Sequence, residues 1–304
     1  MIAARRPGHL RGELRINEAM ARHTSWRVGG PADRWYRPAD LDDLVLFLSG
    51  LRADEPLFWL GLGSNILVRD GGIRGTVIAY AGVLDTLHAL PGYRVRVGAG
   101  VSCAKLSRFC AEHDLAGGEF LAGIPGALGG ALAMNAGAWG DDTWSHVEQV
   151  TTIDRRGCLQ VHTRGDYEVG YRHVQGSREG WFVEATLAFA AGDGEESRRR
   201  VKDLLSRRNR TQPIGQPSCG SVFRNPPGDH AARLIEAAGL KGMRIGGAMV
   251  SERHANFIIN TGTARAADME ALMHRVQTEI HARFGVELVP EVRIVGESVE
   301  EVVS

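Results

Sequence analysis

The chain has 304 residues, 43% of them hydrophobic and 24% charged, which allows two domains or one large one and places it among globular rather than disordered chains. Lysine plus arginine equals aspartate plus glutamate at 36 each, so the net charge of +0 excludes a global pull toward nucleic acid or a membrane surface. An anionic ligand must then be held by local features, and the 39 glycines, which cluster, point to loops whose backbone meets a ligand.

Residues 1–16, with Arg5, Arg6, Arg11 and Arg15, read as a polar arm that lacks the apolar stretch of a signal peptide. No apolar run approaches the roughly 18 residues needed to span a bilayer, so a soluble, cytoplasmic protein is expected. Asp40 followed by an amphipathic stretch to Gly50 predicts a helix over 41–51. Buried strands are expected at 57–60 and 76–80, a strand at 94–97, and a helix from Ser102 to about His113. Cys103 and Cys110 fall on that helix. With Cys158 and Cys219 they form no CxxC pair and no metal-finger spacing, so core thiols are expected and no metal.

The Gly- and Ala-rich stretch 117–140 reads as loops around one short helix, and strands follow at 149–154, 158–163 and 181–190. The composition then shifts. A charged helix over 195–210, ending at Gln212-Pro213, marks a hinge, followed by a turn at 215–228 and a helix near 230–238. Strands near 246–260, a helix over 266–284 and a last strand close the chain. The expected class is α+β, with a first domain over 17–200, split into subdomains near residue 85, and a C-terminal domain over 201–304.

Two glycine loops stand out. Gly61-Leu62-Gly63-Ser64-Asn65 follows an apolar strand but lacks the third glycine of GxGxxG and runs into a turn and a strand, where a Rossmann site needs a helix. An ordinary β-turn explains it as well. The second loop, Gly123-Ile124-Pro125-Gly126-Ala127-Leu128-Gly129-Gly130, runs on to Asn135-Ala136-Gly137. It specifies one backbone path with room for a flat ligand and amides for a pyrophosphate. Tight packing of a small-residue helix is the alternative.

Three further segments carry chemistry. Ser221, in Cys219-Gly220-Ser221-Val222-Phe223-Arg224-Asn225-Pro226, lacks the GxSxG elbow of a hydrolase; it is either a proton donor or a turn serine. Arg172 follows Gly170-Tyr171 and suits a carboxylate held bidentately, or a surface ion pair. In the last strand Val286, Leu288, Val292 and Ile294 share one face, and Glu291 points to the other as a solvated charge or a cleft acid. Pro290 favours an edge position.

The two glycine loops resemble the flavin-contacting loops of the vanillyl-alcohol-oxidase/PCMH-type FAD-binding fold. With His23-Thr24-Ser25-Trp26-Arg27-Val28-Gly29-Gly30-Pro31 ahead of them, and the Ser221, Arg172 and Glu291 motifs in order, the chain from about 20 to 296 resembles the UDP-N-acetylenolpyruvoylglucosamine reductase family. The resemblance implies an FAD-binding domain followed by a C-terminal substrate-binding domain. It implies contacts to FAD from Gly61, Gly63, Ser64, Asn65, Gly123, Ile124, Pro125, Gly126, Gly129, Gly130, Asn135 and Gly137. Ser64 stands where members of the wider fold carry a flavin-linking histidine, so the FAD is expected to be non-covalent, with NADPH as co-substrate. Ser221, Arg172 and Glu291 are the implied catalytic residues: Ser221 as proton donor, Arg172 and Glu291 stabilising charge beside the substrate carboxylate. Arg172 itself, Asn225, His254 and Asn256 are candidates for contacting the UDP-sugar. The short span between Arg172 and Ser221 resembles the family's shorter form, without a tyrosine-bearing lid.

Overall fold

A computed structural model describes residues 9–176 and 180–299; the first eight residues of the expected arm and the last five of the chain lie outside them. The chain divides into two units, and the division is not contiguous. The first unit takes Met1–Ile16, Arg34–Gly61 and Gly75–Val201, and the second takes Asn17–Asp33, Leu62–Arg74 and Lys202–Ser304.

The first unit holds a sheet with the order β1-β2-β5-β3, from β1 (Glu13–Ala19), β2 (Pro31–Arg37), β3 (Leu57–Leu60) and β5 (Ile73–Ala79). The chain crosses into the second unit within β1, β2 and β5. Residues 13–16, expected in the arm, are therefore part of a strand. Arg11 is also anchored, its backbone N–H on Asp43 at 2.7 Å and its guanidinium paired with Asp40. Helix α1 (Leu41–Ser49) starts where Asp40 accepts the Asp43 N–H at 2.9 Å, which satisfies an amide the helix itself cannot. Its buried face, Leu44, Phe47 and Leu48, packs with Tyr36 and Ile78.

An antiparallel sheet follows in the same unit. Its order is β9-β8-β12-β7-β6, from β6 (Leu87–Leu90), β7 (Arg94–Gly98), β8 (Val147–Ile153), β9 (Leu159–Thr163) and β12 (Trp181–Ala188). Helix α2 (Cys103–Glu112), capped by Ser102, and the short α3 (Leu128–Met134) share its core with Val95, Val97, Val150 and Trp144. Cys103 and Cys110 are both in that core, and burial pushes each thiol up to about 12, so they are inert packing groups. The hairpin β10 (Tyr167–Gly170) and β11 (His173–Gly176) completes this part, and α4 (Gly194–Thr211) carries the chain across the division.

The second unit is built on α5 (Ala231–Ala237) and α6 (Ala266–Phe284), a small antiparallel sheet of Arg244–Ile245, β13 (Ala248–Val250) and β14 (Ile258–Asn260), and a parallel pair of β4 (Ile66–Val68) with β15 (Arg293–Val295). Trp26 explains why residues 17–33 belong here. It is fully buried among Phe223, Leu234 and Met269, its indole N–H donates to Ile258 O at 2.7 Å, and its own carbonyl accepts from Asn260. Asp70 caps α6 by accepting from the N–H groups of Ala266 and Ala267 at 3.0 and 2.9 Å, and Gly285, at φ 67°, ends it. Among the described residues no helix is long and apolar enough to cross a membrane.

The last strand is shorter than expected. Leu288 and Val292 are buried, with Val286 and Ile294 packed against the same core, so the alternation holds. Regular pairing is confined to β15, however. Pro290 has no N–H to give, and it forms only an isolated antiparallel bridge with Phe223.

Candidate active site

In the first unit Gly61 and Gly129 come together over one tyrosine. A Cβ on Gly61 would sit 3.0 Å from the Tyr80 hydroxyl, and one on Gly129 would sit 2.9 Å from it and 3.0 Å from Ala99 Cβ. Glycine is needed at both positions because β-carbons would crowd Tyr80 and Ala99. Gly123 is closed by the Trp139 ring and Gly137 by Asp141 O, at 2.8 and 2.4 Å from where a Cβ would stand. Gly130 differs, with nothing within 4 Å. Ile124 is a core residue, while Pro125 is exposed.

The amides of this loop serve the fold more than the sequence suggested. Leu128 N–H donates to Val101 O at 2.8 Å and Gly129 N–H to Ala99 O at 2.9 Å, while Gly126 O accepts from Cys103 N–H. What is left is a floor of small groups, Gly61, Ala127, Gly129 and Gly130, beside a Tyr80 hydroxyl with no hydrogen-bond partner among the described residues. Of the three glycines, Gly130 leaves open space that a ligand ring could approach, and the Tyr80 hydroxyl offers a polar edge.

Arg172 stands at the tip of the β10–β11 hairpin, where Gly170 pairs with His173. Its backbone is left-handed at φ 53°, a position that glycine or asparagine usually fills, so the arginine is kept there at a cost in strain. Its guanidinium donates to Asn135 O at 3.2 Å and Gly137 O at 2.9 Å, and it lies over the Tyr171 ring. Asn135, expected to contact the cofactor, has its amide engaged elsewhere: it donates to Gly170 O at 3.1 Å and accepts from Trp144 N–H at 3.0 Å.

In the second unit Ser221 follows Gly220, whose φ of +84° makes the bend and whose missing Cβ would face open space. The Ser221 hydroxyl has no partner among the described residues. Glu291 N–H donates to Val222 O at 2.8 Å, which places the carboxylate segment one residue from the serine. Burial, and then the nearby Glu291 charge, push the Cys219 thiol upward, so it stays protonated beside them. Asn65 donates its amide to Glu291 O at 3.1 Å, and its backbone carbonyl accepts from Arg293 N–H. Gly63 is also structural, since a Cβ there would stand 1.9 Å from His23 O.

Asn256, a candidate substrate contact, braces the fold. It is 3% exposed, and its amide accepts from Phe223 N–H at 3.0 Å and donates to Phe223 O at 2.8 Å, so it is spent inside the fold. Asn225 accepts from Ala231 N–H at 3.2 Å. His254 has a buried Nδ1 without a partner among the described residues. Burial and then Lys241 lower its pKa, against an opposing pull from Glu236, and it packs edge-on to Phe257.

Two residues not singled out in the sequence emerge here. Arg224 has a buried Nε without a partner among the described residues, and its backbone N–H donates to Val289 O, which sets it along the segment that carries Glu291. Tyr80 is the other. Nothing periodic marks either one; a lone arginine inside the serine motif was the only signal.

Residues 32–162 match the family described as FAD binding domain, and residues 212–295 match UDP-N-acetylenolpyruvoylglucosamine reductase, C-terminal domain. The UDP-N-acetylenolpyruvoylglucosamine reductase of Alkalilimnicola ehrlichii is 65% identical over 287 residues, covering 94% of this chain and 96% of its own. The chain belongs to the UDP-N-acetylenolpyruvoylglucosamine reductase family. The enzyme of that name from Methylococcus capsulatus is 59% identical, over 97% of both chains. The crystal structure of the reductase from Thermus caldophilus superposes with a TM-score of 0.80 at 34% identity, covering 94% of this chain and 99% of that one. The expected α+β fold with an FAD-binding domain therefore holds, and so does the family resemblance.

Proposed function

We propose that the chain catalyses the NADPH-dependent, FAD-mediated reduction of UDP-N-acetylglucosamine enolpyruvate to UDP-N-acetylmuramate, a step in making peptidoglycan precursors. The observation that carries this reading is the backbone bond from Glu291 N–H to Val222 O, next to Ser221. A serine hydroxyl with no partner among the described residues sits one residue from the carbonyl that accepts the Glu291 N–H, in a chain that matches the family over nearly its full length.

FAD, when bound, supplies the hydride chemistry between NADPH and the enolpyruvyl double bond. Gly61, Ala127, Gly129, Gly130 and the Tyr80 hydroxyl would hold it from the first unit, and Ser64 takes part without a covalent link. Arg172 binds the substrate carboxylate and opposes the negative charge that grows beside it. Ser221 Oγ delivers its proton to the carbon bearing that carboxylate, and Glu291, when it carries a proton, would donate a hydrogen bond to the carboxylate as negative charge grows there. Arg224, whose buried Nε lacks a partner among the described residues, takes a phosphate oxygen of a bound nucleotide. Asn225 is a further contact for the UDP-sugar. NADPH and nucleotide sugars are cytoplasmic metabolites, and we place the protein there.

The test is steady-state consumption of NADPH. It should require the enolpyruvyl UDP-sugar and yield a product heavier by two hydrogens. NADPH consumption that ignores the sugar and tracks oxygen would move the chain to another flavin reaction.

A further inference from the structure

The Gly123–Gly137 segment does more than floor a ligand site, because its end is tied to the arginine at the tip of the β10–β11 hairpin. Asn135 closes α3 in a left-handed conformation, φ 46°, and is 3% exposed. Its carbonyl accepts from the Arg172 guanidinium, its amide N–H donates to Gly170 O at the end of β10, and its amide oxygen accepts from Trp144 N–H. Gly137 O accepts from the other guanidinium nitrogen. One residue thus grips both the backbone that carries Arg172 and the head group of Arg172. A long side chain at a hairpin tip has many rotamers and loses them only where something fixes it.

We propose that Asn135 is the positioning residue for Arg172: through Gly170 and its own carbonyl it sets the guanidinium in the orientation that binds the substrate carboxylate. The inference rests on the role given to Arg172 above. It predicts that Asn135 matters to the substrate step through Arg172 and not through the cofactor, although it lies in the cofactor loop.

The experiment is a double-variant cycle on FAD-loaded protein, using Asn135→Gly, Arg172→Lys and both together. Glycine tolerates the left-handed backbone, so Asn135→Gly deletes the two side-chain bonds without new strain. Two rates are measured: bleaching of the flavin band by NADPH, and its return on adding the enolpyruvyl UDP-sugar to pre-reduced protein.

Asn135→Gly is expected to slow the return by about 10- to 100-fold and to leave bleaching within about 2-fold. The double variant should be no slower than Arg172→Lys alone, since the second change removes an effect already lost. A double variant whose slowing equals the product of the two single effects overturns the proposal. So does an Asn135→Gly protein with an unchanged return rate, or one in which both steps slow equally.

If Asn135→Gly does not hold FAD, Asn135→Asp takes its place. It keeps the Trp144 contact but sets a carboxylate oxygen against Gly170 O, and a wild-type return rate in that variant overturns the proposal. If Arg172→Lys alone leaves the return rate unchanged, the reading of Arg172 fails, and the proposal fails with it.

Discussion

The side-chain amide of Asn65 donates to the backbone carbonyl of Glu291 at 3.1 Å, across 226 residues of sequence. Asn256 does the same kind of work on Phe223, two residues past Ser221, by bonding both its N–H and its carbonyl. With Asn135 on the Arg172 hairpin, each of the three candidate catalytic residues has an asparagine fixing its main chain or that of a near neighbour. The amide suits this work because it offers a donor and an acceptor together and so mimics a peptide group.

Removing Asn256 should therefore cost stability as well as rate. Asn256→Ala leaves a buried N–H and a buried carbonyl of Phe223 without partners, a loss of about 2–4 kcal/mol. Asn65→Ala, at a half-buried site, should cost about 1 kcal/mol. Urea unfolding followed by circular dichroism checks the order of the two.

The glycines separate by what surrounds them. Gly63→Ala puts a Cβ on His23 O in a left-handed backbone and should cost at least about 3 kcal/mol. Gly130→Ala meets no protein atom and lies inside α3, where alanine is the better helix former by about 1 kcal/mol. That variant should be at least as stable as the wild type without cofactor, yet bind FAD more weakly. Thermal unfolding without FAD and a fluorescence titration with it test both halves.

His254 is expected to act on stability. Its pKa is lowered in the fold, first by burial and then by Lys241, from an ordinary value of 6.5. As pH falls below about 6.5 the unfolded chain takes up the proton before the folded one does, so stability is full above that pH and declines as pH falls through the folded value. His254→Phe, which fits beside Phe257, should remove this part of the slope. Urea midpoints across that range, for wild type and variant, provide the measurement. An unchanged slope would remove the stability role and leave His254 a candidate ligand contact.

Ser221→Ala should leave NADPH-driven flavin bleaching near normal and slow reoxidation by substrate by about 100- to 10,000-fold, the usual worth of a positioned proton donor. Equal slowing of both steps, read by stopped-flow absorbance, would remove the proton-donor role.

Much of this architecture is visible in local pattern. Asp40 and Gly50 bracket α1 as a cap and a stop should, and the alternation of Val286, Leu288, Val292 and Ile294 identified the buried face of the last segment. The Ser221, Arg172 and Glu291 motifs carried the family, because turns and strand ends impose residue types at close spacing.

What local pattern missed is long-range. Trp26 joins the second unit through a bond to Ile258, 232 residues away, and no local pattern marks that pairing. The resemblance made Asn65 and Asn135 candidates for contacting FAD and Asn256 for the UDP-sugar, and each side-chain amide is bonded to the main chain. Their partners are main-chain groups 226, 35 and 33 residues distant, and no periodicity marks such a pairing.

The most direct test is an anaerobic visible spectrum of the purified protein, taken after FAD loading, after one equivalent of NADPH, and after the enolpyruvyl UDP-sugar. The proposed reaction gives a flavin band that bleaches with NADPH and returns only with the sugar. A band that bleaches and then ignores the sugar would contradict the substrate, and protein that takes up no FAD would contradict the reading of the glycine loops.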